Sequence, residues 1–301
     1  MILRGWLLAG FVLSALAHLV GVASISPLMP GAEMLAWALL AAYVTVGGGI
    51  RLPAVRLLLA GLLALLLVAV WAWATRPEPT ASFGFFVYRD SLPEPSVSDA
   101  VVGGLRVSWL PVLAAVLLVA AAAVATRTGP AHPPAAPTPV APPGAPAVLV
   151  SAVGAALAVG YYSAAVAAWA RSTGAYGPIH LIAAALPALL VALAAVAVAG
   201  RLLDGPPGPR PATKPLLVAG LSLTMLAVLA FADAVMGQSW SNLYFDYESP
   251  GPRPDAMSTA LLPVNVPVRD ALWFAGAALL ALGCPTGRRT QVPAAMGTGK
   301  A

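Results

Sequence analysis

Apolar residues in this chain come in long blocks, with no regular alternation of polar and apolar positions. Eight blocks stand out, at about 5–24, 31–50, 54–75, 107–126, 147–170, 178–200, 215–236 and 266–284. Each is close to the roughly 20 residues that carry a helix across about 30 Å of hydrocarbon. Lipid offers no partner to an open backbone group, so each block is expected to be helical. The absence of a period of two, together with the Ala, Leu and Val content, speaks against a β-barrel. The expected fold is an all-α integral membrane protein of eight transmembrane helices with small outer loops.

Composition points the same way. Hydrophobic residues make up 60% of the chain and charged residues only 9%, with a mean hydropathy of +0.87. A soluble domain carries about 25% charged residues, so this chain cannot cover a water-facing surface. It has one cysteine and three histidines. That excludes an intrachain disulfide framework and a Cys-rich metal site, and no metal or cofactor is expected.

The basic residues set an orientation. With the N-terminus inside, the inner segments hold Arg4, Arg51, Arg56, Arg127, Arg201, Arg210, Lys214, Arg288, Arg289 and Lys300, ten of the sixteen. Seven of the eight tryptophans fall in the outer half or the outer loops, where indole prefers the headgroup interface. Both termini are therefore expected in the cytoplasm, with the chain multi-pass in the plasma membrane. Met1–Arg4 and Gly21-Val22-Ala23 resemble the ends of a signal peptide. Cleavage there would break the eight-helix parity, so the first block is read as a retained span. The net charge of +5 then reflects topology, and no nucleic-acid partner is expected.

An internal repeat divides the chain. Leu57-Leu58-Leu59-Ala60-Gly61-Leu62 matches Leu216-Leu217-Val218-Ala219-Gly220-Leu221 at an offset of 159 residues. The same offset carries Arg51 onto Arg210 and Ser82 onto Ser241. It also carries Phe86, Tyr88, Pro93 and Pro95 onto Phe245, Tyr247, Pro252 and Pro254. Leu/Ala-rich helices match one another easily, but a loop motif in the same gapless register does not. The expected organisation is a four-helix repeat over 1–128, a proline-rich cytoplasmic linker over 129–146, a second repeat over 147–285 and a cytoplasmic tail over 286–301. Units with an even number of helices keep one orientation, so the repeats are expected to be parallel. The linker carries eight prolines and reads as an extended tether.

The run Phe83-Gly84-Phe85-Phe86-Val87-Tyr88 resembles a Phe-Gly-aromatic-Phe-x-Tyr loop motif of short, uncharacterised multi-pass proteins from high-GC actinobacteria. The second copy, Asn242-Leu243-Tyr244-Phe245-Asp246-Tyr247, departs from it at the Phe-Gly pair. The resemblance implies membership and topology and brings no activity with it. The two long outer segments, about 76–106 and 237–265, each open on such aromatics and pass through a Pro-x-Pro turn. Their aromatics fit a small cap, anchors lying in the headgroups or a platform that recognises a ligand.

Ionisable residues inside a membrane are functional candidates by default. His18, Glu33, His180, Asp233, Arg269 and Asp270 all map to the outer side, and Tyr161 and Tyr162 join them there. Together they define a candidate polar vestibule for binding. The competing reading is that residues near the interface snorkel or cap helix ends. No catalytic residues are assigned, because paired carboxylates, nucleotide loops, HExxH and GxSxG are absent. The bilayer centre carries almost no charge, which disfavours ion-coupled transport. The expected function is non-catalytic: an accessory or assembly subunit, or a scaffold, of a membrane complex. Its expected partners are the lipid bilayer and other membrane protein subunits. A second reading is a carrier or binding protein for an apolar or lipid-like molecule. A third, an enzyme on a lipid-linked substrate, requires His18, His180, Asp233 and Asp270 to converge.

Overall fold

The computed structural model describes residues 2–24, 29–47, 50, 52–74, 96–125, 144–173, 178–204, 212–244 and 266–284. These form eight helices and, among the described residues, no strand. They are α1 (Ile2–Ser24), α2 (Met29–Val46), α3 (Pro53–Ala74), α4 (Val97–Ala125), α5 (Ala145–Thr173), α6 (Pro178–Asp204), α7 (Thr213–Tyr244) and α8 (Val266–Gly283). Six contain stretches long and apolar enough to cross a membrane: Ile2–Val22, Pro53–Ala74, Ser108–Ala125, Ala145–Arg171, Pro178–Asp204 and Thr213–Gly237. The apolar part of α2, Gly31–Val46, is shorter.

Two helices are longer than their apolar blocks. α4 starts at Val97, some ten residues before the block at 107. Ser96 provides the reason: its carbonyl accepts from the Ala100 N–H at 3.2 Å, and its hydroxyl lies 2.6 Å from that of Ser98. A serine just ahead of a helix is a favoured start. α7 continues through residues 237–244, which were read as the opening of an outer loop. After Gly237 no glycine or proline interrupts the chain until Pro250, so nothing stops the helix. The loop-motif residues Phe86, Tyr88, Pro93, Pro95, Phe245, Tyr247, Pro252 and Pro254 lie outside the described residues. So do most of the proline-rich linker and the tail after Cys284.

α7 is at the heart of the bundle. It packs on α4, α5, α6 and α8, and residues 227–237 are buried without interruption. A helix apolar on every side has to be enclosed in this way. α1 and α5 are peripheral: α1 touches α2 and α8, and α5 touches α6 and α7. Both expose much leucine and valine, including Leu13, Leu16, Leu149 and Leu157.

Glycine sets the close approaches. A Cβ on Gly220 would meet Leu280, one on Gly276 would meet Thr224, and one on Gly283 would meet Leu217, all at 2.8–3.0 Å or slightly more. This ladder shows that α7 and α8 run antiparallel. The pairs Gly154–Val196 and Gly200–Ser151 show the same for α5 and α6. In the first half, a Cβ on Gly61 would lie 3.0 Å from Leu118. Among the described glycines, the one set closest to a neighbouring helix backbone is Gly104 of α4, which faces Ala184 of α6. Small residues let membrane helices approach this closely. At the end where α6 finishes and α5 begins, Asp204 accepts from the Gly144 N–H at 2.9 Å. A carboxylate at a helix N-terminus is well placed against the helix dipole.

Candidate functional site

The α7–α8 ladder pairs residue 224 with 276, so nine residues on Asp233 stands level with the start of α8. Most of the membrane-embedded ionisable groups gather at this end of the bundle, in two clusters.

The first cluster joins α1, α2 and α8. His18 is wholly buried on α1, and its Nε2 lies 2.8 Å from Oδ2 of Asp270 on α8, itself 4% exposed. The other carboxylate oxygen, Oδ1, lies 3.4 Å from both Nε and Nη2 of Arg269. That is beyond the usual 2.7–3.2 Å hydrogen-bond range, so Arg269 acts mainly through its charge. Glu33 is buried near the start of α2 and accepts from the indole N–H of Trp37 at 3.2 Å. The spacing of four places both side chains on one helix face. Phe274 packs into the same region. Its ring meets Trp37 at 4.5 Å, and His18 and Phe11 edge-on at 5.6 and 6.0 Å. Glu33, Arg269, Asp270 and Phe231 border a cavity of about 30 Å3. Most of its lining is apolar, with Glu33, Arg269 and Asp270 as the charged groups, and its size is about that of one water molecule.

The second cluster joins α5 and α7. Asp233 is fully buried and accepts from the Tyr161 hydroxyl at 3.1 Å and from the Trp169 indole N–H at 2.7 Å. Tyr162 turns instead to α6 and donates to the Ile182 carbonyl at 2.6 Å. His180 sits in the first turn of α6, half-buried. Phe231, also on α7, lines the cavity of the first cluster.

Of the eight vestibule candidates, the structure thus joins His18, Arg269 and Asp270 directly, sets Glu33 beside them and ties Tyr161 to Asp233. These residues are packed inside the protein. Three partners could not be picked out from the sequence: Trp169, Trp37 and Phe274. Tryptophan was read there as an interfacial anchor, and only the spacing of Glu33 to Trp37 hinted at more. Ser108, buried with no partner for its hydroxyl among the described residues, was likewise not singled out. Among the described residues no group of three His, Cys, Asp or Glu side chains is arranged to hold a metal ion.

A helical bundle with a lipid-like exterior and paired charges in its interior defines the class, a polytopic α-helical membrane protein. Comparison with protein-family models, curated proteins and solved structures found no match.

Proposed function

We propose that the chain is a non-catalytic membrane component, an accessory or assembly subunit or scaffold that offers its helices to other membrane proteins. One observation carries this reading: the buried ionisable groups are engaged with one another. His18 and Arg269 flank Asp270, and Asp233 takes up Tyr161 and Trp169. The cavity beside Arg269 and Asp270, about 30 Å3, is about the size of one water molecule. Such networks fix one arrangement of helices, which is what an assembly surface requires. Large apolar side chains on peripheral α1 and α5 supply an outer face for lipid or for a neighbouring subunit.

The proposed topology has eight spans with both termini cytoplasmic, including the shorter α2 and α8. At 18 residues each, these two reach about 27 Å, close to the hydrocarbon thickness. A duplicated four-helix unit is supported by Gly61 and Gly220, which share one sequence motif and each lie under a leucine of the following helix, Leu118 and Leu280.

The test is affinity purification of the tagged chain from its native membranes in mild detergent, followed by identification of the co-eluting polypeptides. A second membrane protein in fixed ratio is the expected outcome. A monodisperse chain with no other polypeptide, under conditions that preserve known complexes of the same membrane, refutes the subunit reading.

A further inference from the structure

Arg269 is poorly served for a buried charge. Its guanidinium carries five N–H donors, yet the residue is only 5% exposed. Among the described residues its hydrogen-bond contacts both run to Oδ1 of Asp270, and both are 3.4 Å long. Burying the donors of a cation without good acceptors costs more than burying those of a neutral group. The cavity of about 30 Å3 lies against this side chain. One ordered water needs roughly 10–15 Å3 of such space and two to four polar partners.

The other walls provide acceptors. Glu33 of α2 borders the same cavity. Its Oε1 accepts from the Trp37 indole at 3.2 Å, and one such bond does not exhaust a carboxylate, which has about four acceptor positions. On α4 the wall is Pro111, inside the helix. Proline has no N–H, so the carbonyl four residues earlier, at Val107, loses its helical donor. That carbonyl is aimed along the helix at the proline ring, and so toward the edge of the cavity. Ordered water is one of the ways in which membrane helices satisfy a carbonyl freed by proline. The remaining lining is apolar, with Leu65 and Val68 of α3 and Phe231 of α7. Charge narrows the occupant further. The guanidinium repels a metal cation, and the carboxylates of Glu33 and Asp270 repel a small anion. A neutral molecule that both donates and accepts suits all of these groups.

We propose that this cavity is the binding site of a single structural water. It accepts from the Arg269 guanidinium and donates to the Glu33 carboxylate and the Val107 carbonyl. Its bonds end on α8, α2 and α4, so it ties these three helices together beside the His18–Asp270 pair. The site is independent of the scaffold reading, because the water is held whether or not a protein partner is present.

The full-length chain is crystallised from a lipid mesophase, and its ordered waters are located in the electron density. The expected result is one peak in the cavity, about 2.7–3.2 Å from the Arg269 guanidinium and within hydrogen-bond reach of Glu33. Val68→Ile adds one methylene to the apolar wall. With water bound, the change expels it, leaves Arg269 and Glu33 with one partner fewer and lowers the melting temperature by about 2–4 °C. In a dry cavity the same methylene fills empty space and raises the melting temperature. Empty density in the cavity of the native chain overturns the proposal, as does a peak out of reach of Arg269. An unchanged or raised melting temperature in Val68→Ile overturns it as well. Where Val68→Ile fails to fold, the density of the native chain decides alone.

Discussion

Asp270 has a different partner on each carboxylate oxygen, His18 at 2.8 Å and Arg269 at 3.4 Å. Removing one member of a buried ionic group leaves the other uncompensated, at a cost of roughly 3 kcal/mol. His18→Ala is therefore expected to lower the melting temperature in detergent strongly. Adding Asp270→Ala should cost much less than it does alone, which a double-mutant cycle measures. The second cluster divides more finely. Tyr161→Phe removes one donor to Asp233 and should cost about 1 kcal/mol, while Asp233→Ala strands both Tyr161 and Trp169 and should cost about 2 kcal/mol or more. Equal losses from the two changes would mean that the Trp169 bond adds nothing to stability, and no loss from Tyr161→Phe would mean that Trp169 alone satisfies the carboxylate. That these ionisable residues matter was legible in the sequence, because a charge in an apolar block always demands an explanation. Their pairing was not legible. His18 and Asp270 are 252 positions apart, and nothing in the local pattern of α1 points toward α8.

At the scale of helices, glycine decides which elements can approach. Gly103 and Gly104 are neighbours with opposite surroundings: a Cβ on Gly103 meets nothing within 4 Å, whereas one on Gly104 runs into the Ala184 backbone. Backbone cannot swing aside as a flexible side chain can. Gly104→Ala is therefore expected to destabilise or misassemble the bundle, and Gly103→Ala to be neutral or slightly stabilising through helix propensity. Comparing the folded yield of the two variants by size exclusion is enough to tell. The apolar blocks marked all eight helices in advance because a hydrophobic run is both the signal for a helix and the reason it is buried. Helix ends were harder to read. α4 reaches back to Val97 and α7 on to Tyr244 through polar and aromatic residues. There, local capping and the lack of a breaker set the limit, and hydropathy does not.

For the molecule as a whole, the seam between the two halves lies inside the bundle. α4 packs on both α6 and α7, so the first half is held to the second by helix contact as well as by the chain between them. A protease site introduced in the proline-rich stretch is expected to give two fragments that still co-elute after cleavage. Separation into free halves would show that the linker does the holding. The expected repeat rests on helix and loop motifs that share one offset. At that offset Asp233 has no counterpart, since Ala74 stands there, so the offset gave no pointer to the Asp233 cluster.

Cys284, the chain's one thiol, is 4% exposed and lies directly after α8. A maleimide should leave it untouched in the folded state and label it only after denaturation. The native protein can thus serve as its own unreactive background. A cysteine introduced at any other position becomes the sole labelling site, and the sidedness of every loop can be mapped with membrane-impermeant reagents without first altering the natural sequence.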